Sequence, residues 1–281
     1  MSGLAGEAIR RFKENRAAVI ALLAISVVVA LALVGPWINP NDIETLDWRH
    51  LGSPPGAQGA HWFGTDRLGR DLFARTLAGT RVSLGIGLVA SVMSLCVGVG
   101  YGAVSGYRGG RIDNVMMRII EILSGLPLIF FVILLTVIFG RNENLLFISI
   151  GAVGWLTMAR IVRGQAMSIR QREFIEAAVA SGAGAGRIIV RHVIPNVIGP
   201  VIVYATLMVP QIILFESFLS FLGLGVQEPR ASLGTLIAEG AGEMEAASWI
   251  LLVPGGFLAI LLLSLNIVGD GLRDALDVKE S

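Results

Sequence analysis

The sequence predicts an all-α integral membrane protein with six transmembrane helices and both termini in the cytoplasm. Its 281 residues are 54% hydrophobic and only 15% charged, whereas a soluble domain carries about 25% charged residues. The charges are also unevenly distributed, because six long windows contain none. A bilayer-spanning helix needs ~20 mostly apolar residues, so windows of this length indicate membrane spans.

The first predicted span, residues 17–35, follows four basic residues and therefore resembles a signal peptide. Its apolar run is longer than the roughly 7–15 residues of a signal sequence. The small-x-small sequence Ala30-Leu31-Ala32 also lies inside the run rather than after it. We therefore interpret this span as a retained anchor.

Five further spans are predicted from the remaining windows, and they cover about 82–104, 119–139, 145–162, 197–219 and 249–269. The fourth is extended to Val162 by letting the side chain of Arg160 reach the membrane boundary. Glycines of the second span are predicted to be close-packing sites. These are Gly85, Gly87, Gly98, Gly100 and Gly102.

The placement of Lys and Arg sets the orientation, because basic residues favour cytoplasmic segments. With both termini inside, 15 basic residues lie in cytoplasmic segments and 7 in outer segments. The predicted organisation is an N-terminal part with the first span and a long outer loop (1–81), a five-helix core (82–269) and a cytoplasmic tail (270–281).

Residues 160–195 form a large polar segment on the predicted cytoplasmic side. Its apolar residues need burial, whereas its charges keep it out of the bilayer. Three glycines (182, 184 and 186) predict a turn between two short helices, and Pro195 is predicted to end the second helix. The apolar face of this segment packs either on a protein partner or on the protein's own cytoplasmic helix ends.

This segment resembles the EAA signature of ABC-importer permeases. Glu176-Ala177-Ala178 is followed after three residues by Gly182, and after nine more by His192-Val193-Ile194-Pro195. His192 and Ile194 stand where Ile and Leu are commonest in the family. Further matches are FGTDRLGRD (63–71), SGYRGGRIDNVMMRIIEIL (105–123), RIVRGQ (160–165) and ILFESFLSFLGLGVQEP (213–229). Over roughly residues 10–278 the chain is similar to the C-type permeases of the oligopeptide/dipeptide family.

The resemblance implies the type I importer fold of binding-protein-dependent ABC permeases, an inner-membrane location and ATP-driven import of oligopeptides. In that family the EAA segment, here within 163–195, docks on a cytoplasmic ATPase. The implied coupling residues are Glu176, Ala177, Ala178, Gly182, His192 and Pro195. The implied partners are a second permease, two ABC ATPases that hold ATP and Mg, and a periplasmic peptide-binding protein. Dipeptides, murein peptides, glutathione and nickel are alternative substrates of the same importer class.

Three residues inside the spans are candidates for the translocation pathway. Ionisable residues in a membrane are costly and rare, so Glu216 in the fifth span is predicted to line the pathway or contact the second subunit. Pro127 and Pro210 are predicted to kink the third and fifth spans for gating, although neighbouring helices also accommodate such prolines.

Neither catalytic residues nor a metal site nor a cofactor of its own are predicted for this chain. The Gly-rich stretch 181–187 lacks the Lys and Ser/Thr of a P-loop. His50 and His61 are interpreted as lacking acidic or cysteine neighbours at ligand spacing. The net charge of +1 argues against a general nucleic-acid binder.

Two other classes of function compete with the importer. An ion-coupled secondary transporter needs internal repeats with matching broken helices, and no convincing repeat is seen between the halves. A non-transporting membrane scaffold is the third class. Co-purification of ATPase subunits through residues 163–195 is the observation expected to separate them.

Overall fold

The computed structural model describes residues 2–39, 41–56, 61–139 and 143–276. Within these ranges the regular structure is helical, apart from one isolated antiparallel bridge between Thr65 and Asp71. The helices are α1 (Ser2–Glu14), α2 (Arg16–Ile38), α3 (Leu72–Arg108), α4 (Gly110–Ser124), α5 (Leu128–Phe139), α6 (Glu143–Arg170), α7 (Glu173–Ala180), α8 (Ala185–Ile188), α9 (Ile194–Phe221), α10 (Leu233–Gly242) and α11 (Trp249–Leu276). A π turn, Ile189–Val193, joins α8 to α9.

Among the described residues, four helices are long and apolar enough to cross a membrane, and they contain the predicted first, second, fifth and sixth spans. They are Arg16–Ile38, Leu72–Arg108, Ala185–Phe221 and Trp249–Leu276. A fifth candidate is a bent pair, Gly110–Ser124 and Ile129–Leu135, whose axes meet at 83°. The predicted fourth span lies within α6. The described helices thus give four or five apolar spans, and the count of six stays a prediction.

The predicted third span, residues 119–139, is not one continuous helix. Helix α4 ends at Ser124 and α5 begins at Leu128, with Pro127 between them. Proline has no N–H to continue the helical hydrogen bonding, and it disfavours helical backbone at the residue before it. The kink predicted at Pro127 is therefore a full break between two helices.

Pro195 does not end a helix, contrary to the prediction. The helix runs without interruption through Ala185–Phe221, because the π turn lies immediately before the proline. The N–H of Ile194 bonds to the carbonyl oxygen of Ile189 within that turn. This wider turn changes the hydrogen-bond register just ahead of a residue that lacks an N–H. Residues 185–193 and α9 therefore form one continuous helix.

Helix α3 is the central element, and it packs on α6 through a stripe of glycines. Gly98, Gly102 and Gly106 face α6, and a Cβ on Gly102 would overlap the carbonyl oxygen of Ala159. The absence of side chains lets the two backbones approach closely. The close-packing prediction is confirmed for three glycines (87, 98 and 102), each of which faces a neighbouring helix.

The same prediction is wrong for Gly85 and Gly100, since a Cβ added at either position would meet no other group within 4 Å. Gly100 lies two residues from both Gly98 and Gly102, and two residues correspond to about 200° of rotation on a helix. It therefore points away from the face that contacts α6.

The segments that the topology assigns to one side of the membrane meet in the structure. At one end, the first outer loop contacts residues 228–243 through several arginine–carboxylate pairs. At the other end, Asp113 of α4 pairs with Arg163 of α6. The pairing agrees with a topology in which each pair of segments shares one face of the membrane.

Candidate functional site

The EAA segment is anchored to the rest of the chain by one side of α7. Ile175 is 2% exposed and belongs to the main apolar cluster, which also contains Ile188 and Val193. Ala178 is partly buried against the same cluster. Ile175 and Ala178 are one turn apart on α7 and face inward. Together they hold α7 against the helix that continues into α9.

The opposite side of α7 is open to solvent. Phe174 is 44% exposed and Val179 is 54% exposed, and Glu176 and Ala177 are exposed beside them. We call these four residues the α7 outer surface. Here outer means facing away from the rest of the chain, because the predicted topology places α7 on the cytoplasmic side. This surface combines two apolar side chains, one carboxylate and one small residue, which suits close contact with another protein bearing a basic group.

The turn after α7 is made by Gly182, as the sequence predicts. Its φ of +79° lies in the left-handed region, where a Cβ costs about 1–2 kcal/mol. The N–H of Gly182 bonds to the carbonyl oxygen of Val179 at 2.9 Å, and that of Ala183 to Ala178 at 3.0 Å. These bonds satisfy the last carbonyl groups of α7 and reverse the chain toward α8.

Gly182→Ala is expected to destabilise the protein by about 1–2 kcal/mol, because alanine is strained at a positive φ. Gly186→Ala is the matched control. Gly186 lies in α8 with open space around it, so alanine there should stabilise by about 0.4–1 kcal/mol. Thermal unfolding of the two variants in detergent measures the difference. Equal melting temperatures for the two variants would contradict the assigned turn.

His192 and Pro195 lie on the second arm of the segment. The imidazole of His192 is half-buried, with its ring centroid 6.4 Å from that of Phe174. Its carbonyl oxygen accepts a hydrogen bond from Asn196 Nδ2 at 2.6 Å. Pro195 is exposed. The structure therefore brings His192 next to the α7 outer surface, and Pro195 lies at the start of α9 behind it.

An ion pair that the sequence did not reveal supports this segment. Arg163 of α6 donates to both carboxylate oxygens of Asp113, at 2.6 Å each. Ser105 Oγ donates to the same carboxylate at 2.5 Å. This contact ties α3, α4 and α6 together, about two turns of α6 before the chain enters α7. The signal available in the sequence was that the three residues lie in stretches matching the family (105–123 and 160–165).

Glu216 is fully buried in α9. Its carboxyl accepts hydrogen bonds from Ser220 Oγ at 2.6 Å and Ser83 Oγ at 3.2 Å. Ser83 Oγ in turn accepts the N–H of Leu233, the first residue of α10, at 3.1 Å. The carboxyl therefore lies where α3, α9 and α10 meet. Its predicted contact with the pathway or a second subunit stays a prediction, and in this conformation it has no exposed surface.

The two other candidates for the pathway differ in environment. Pro127 is exposed at the break between α4 and α5, beside a cavity of about 390 Å³ that also has Phe131 and Arg160 in its wall. Pro210 is buried in α9, which continues through it. The gating role predicted for both prolines is untested by this geometry.

The end of the bundle that the predicted topology assigns to the outside carries a charge cluster that the sequence also did not reveal. We define the outer charge cluster as Asp66, Arg70, Arg75, Glu228 and Glu239. Arg75 is 3% exposed and contacts both Asp66 and Glu239, the latter at 2.8 and 3.1 Å. Arg70 bonds to Asp66 at 2.7 Å and to Glu228 at 3.0 Å. The cluster joins the outer loop and α3 to α10.

The interpretation that His50 and His61 lack acidic neighbours is wrong. Asp47 Oδ2 lies 2.7 Å from His50 Nδ1 and 3.6 Å from His61 Nε2. The loop folds back on itself, so residues separated along the chain meet in space. The hydrogen bond with His50, followed by that from the N–H of Arg49, lowers the pKa of Asp47 from 3.8 to about 2.

Two family models match the chain. One is described as the binding-protein-dependent transport system inner membrane component and matches residues 98–280, which include the whole EAA segment. The other is described as the N-terminal TM domain of oligopeptide transport permease C and matches residues 3–55. Together they account for both the EAA segment and the first predicted span.

Individual proteins are similar to the chain over almost its full length. The oligopeptide transport system permease protein OppC of Haemophilus influenzae is 51% identical over 274 residues, covering 98% of this chain and 88% of that protein. The dipeptide transport system permease protein DppC of Bacillus subtilis is 43% identical, covering 97% and 85%. The inward-facing MetNI methionine ABC transporter has a TM-score of 0.56 at 19% identity, covering 72% and 96%. This last likeness shows the fold alone.

Proposed function

The chain belongs to the family of binding-protein-dependent transport system inner membrane components, and on this basis we propose that it is the permease subunit of an ATP-driven oligopeptide importer. The observation that carries the proposal is the 51% identity, over 98% of the chain, to a permease named for oligopeptide transport. The protein is a multi-pass component of the inner membrane. It is not an enzyme, because hydrolysis of ATP belongs to separate subunits in this family.

Dipeptides are the second candidate substrate. The observation that favours them is the 43% identity to a permease named for dipeptide transport. The oligopeptide permease OppC of the same organism, Bacillus subtilis, is 42% identical, so within that organism the two substrate classes are matched equally well. The two substrates call for the same fold and the same coupling segment, so uptake measurements are needed to separate them.

The α7 outer surface is the proposed docking site for the ATPase subunits. Its support is geometric, because Phe174 and Val179 expose apolar surface next to the carboxylate of Glu176. The anchored side of α7 and the Gly182 turn hold this surface in one orientation. ATP and Mg bind to the partner ATPases, and a movement of those subunits pushes on α7. A second permease and a periplasmic peptide-binding protein complete the proposed complex.

The Asp113–Arg163 pair gives that push a route into the bundle. α7 follows directly on α6, and the guanidinium of Arg163 grips α4 through two hydrogen bonds to Asp113. The same carboxylate is bonded to Ser105 of α3. A displacement of α7 therefore acts on α3, α4 and α6 at once. Of these, α4 ends next to the break at Pro127.

We propose six spans, of which the bent pair α4–α5 is the third and α6 the fourth, with both termini in the cytoplasm. The bend of 83° places the break at Pro127 beside the cavity next to α6. This arrangement supports a change in the bend as part of gating. The excess of basic residues in the segments assigned to the cytoplasm supports the orientation.

Uptake by cells that lack this chain tests the function. Deletion is expected to abolish uptake of a labelled tetrapeptide, and a plasmid copy should restore it. Uptake of a labelled dipeptide serves as the comparison. Loss of dipeptide uptake with tetrapeptide uptake retained would replace the proposed substrate. Tetrapeptide uptake that survives inactivation of the ATPases but stops when the proton gradient is dissipated would favour an ion-coupled transporter.

A further inference from the structure

Two histidines and an aspartate converge in the first outer loop. Asp47 Oδ2 is 2.7 Å from His50 Nδ1 and 3.6 Å from His61 Nε2. One ligand atom from each of the three residues lies within 4.8 Å of the other two. Ligand atoms at about 2.0–2.1 Å from a tetrahedral zinc ion are roughly 3.3 Å apart. Small side-chain rotations therefore bring these three atoms around one ion.

The orientation of His61 is set by a buried carboxylate on its far side. His61 Nδ1 is 2.8 Å from Oδ2 of Asp71, whose side chain is 1% exposed. Asp71 is itself fixed, because it accepts the N–H of Ala74 at 2.7 Å as the N-cap of α3 and the amide of Asn39 at 2.9 Å. A carboxylate that accepts Nδ1–H leaves the Nε2 lone pair free to bind a metal. That Nε2 is the atom facing Asp47.

Asp47 is held in place by hydrogen bonds within the loop. Its Oδ1 accepts the N–H of Arg49 at 2.9 Å, which turns Oδ2 toward the imidazoles. Its own N–H bonds to the carbonyl oxygen of Gly69 at 3.2 Å. Gly69 has a φ of +78°, and a Cβ there would overlap the carbonyl oxygen of Asp47. The loop backbone thus positions the carboxylate against the turn that leads into α3.

We propose that Asp47, His50 and His61 form a binding site for a divalent transition-metal ion, with Zn²⁺ as the preferred ion. Two imidazoles and one carboxylate make a three-ligand zinc site with a fourth position for water. Mg²⁺ and Ca²⁺ prefer all-oxygen sites and are disfavoured. A cavity of about 290 Å³, bordered by Asp47, His61 and Asp71, gives the fourth position access to water.

The ion joins two stretches of the outer loop and holds both against the start of α3. His50 belongs to the stretch before the Pro54-Pro55 sequence, and His61 to the stretch after it. Hydrogen bonds already run between these stretches, such as that from the N–H of Thr65 to the carbonyl oxygen of Ser53 at 3.0 Å. Zinc adds a rigid link to this framework at the outer face.

The test is zinc binding by the full-length chain, purified in detergent with an affinity tag that contains no histidine. After treatment with a chelator, the protein is titrated with Zn²⁺ alone and the bound metal is counted by mass spectrometry. One zinc per chain is expected. His50→Ala and His61→Ala should each weaken binding by more than 100-fold, because a two-ligand site remains. Asp71→Asn should weaken it by about 10- to 100-fold.

His192→Ala is the matched control, since His192 is the third histidine of the chain and lies in the EAA segment. It should keep the full zinc stoichiometry. His61→Cys guards against variants that fail to fold, because it replaces one ligand by another. With Co²⁺ as the probe, this variant should show a sulfur-to-cobalt charge-transfer absorption that the unaltered protein lacks.

Three results would overturn the proposal. The first is a failure to bind zinc when the free Zn²⁺ concentration is raised to about 100 micromolar. Structural zinc sites bind far more tightly than this. The second is full stoichiometry in the His50→Ala/His61→Ala double variant. The third is a folded His61→Cys protein that binds Co²⁺ without the charge-transfer absorption. In any of these cases the cluster is a hydrogen-bonded loop contact only.

Discussion

Glu176→Arg is expected to abolish co-purification of the ATPase subunits with this permease. Glu176 is exposed on the α7 outer surface, and surface substitutions of this kind usually change stability by no more than about 0.5 kcal/mol, so the fold should be unaffected. Against a basic group on the ATPase, like charges cost several kcal/mol, which corresponds to a loss of affinity of roughly 100-fold or more. Affinity capture followed by quantification of the ATPases measures the effect.

Glu14→Arg is the control for this charge reversal. Glu14 has a side chain that is 69% exposed, and it lies on α1, which the topology also places in the cytoplasm. It should retain the ATPases. Melting temperatures of both variants should match that of the unaltered protein. If Glu176→Arg keeps its ATPases, the carboxylate of Glu176 is not part of the docking surface.

Arg75→Ala is expected to cause the largest loss of stability among these variants. The guanidinium is buried between the carboxylates of Asp66 and Glu239. Removing one partner of a buried ion pair costs about 3–5 kcal/mol, because the remaining charge stays desolvated. We expect about 3 kcal/mol, at the lower end of that range, since Arg70 still neutralises Asp66. Thermal unfolding in detergent measures the change.

Arg67→Ala provides the comparison on the same loop. The Arg67 side chain is 73% exposed and lies 3.4 Å from Glu243, and exposed pairs of this kind contribute about 0–1 kcal/mol. A second variant separates charge from packing, because Arg75→Ala combined with Glu239→Gln removes one of the orphaned charges. The double variant should recover part of the lost stability. Equal melting temperatures for Arg75→Ala and Arg67→Ala would refute the proposed role of the outer charge cluster.

The helices of the bundle were predictable because hydrophobic length is a local property of the chain. The charge-free windows at 82–107 and 193–215 each lie inside one long apolar helix. The turn at Gly182 was predictable for the same reason, since positive φ is a property of one residue. The break at Pro127 was expected only as a kink, because a proline does not by itself determine how far a helix bends.

The ion pairs that join different helices were not predictable, because their partners lie far apart in sequence. Arg75 and Glu239 are separated by 164 residues, and Asp113 and Arg163 by 50. The distribution of charges along the chain places such residues outside the spans, but it does not identify their partners. The cluster of Asp47, His50 and His61 was missed although Asp47 and His50 are three residues apart, because His61 joins them only after the loop closes.

The continuous helix through Pro195 was not predictable for a different reason. A proline after a short helix usually marks its end. Here five residues before the proline form a π turn. The helix therefore continues although Pro195 has no N–H to donate. Such a turn depends on how the helix is held at both ends, and no single residue type specifies it.

The length of α3 has a mechanical consequence. Its 37 residues span about 55 Å at 1.5 Å per residue, well beyond the ~30 Å of a hydrocarbon core. One end carries Arg75 of the outer charge cluster, and the other carries Ser105 bonded to Asp113. An unbroken helix bends little over such a distance, so it behaves as a lever. In the proposed complex, a tilt imposed at the face where the ATPases dock would be transmitted along α3 to the face where the peptide arrives.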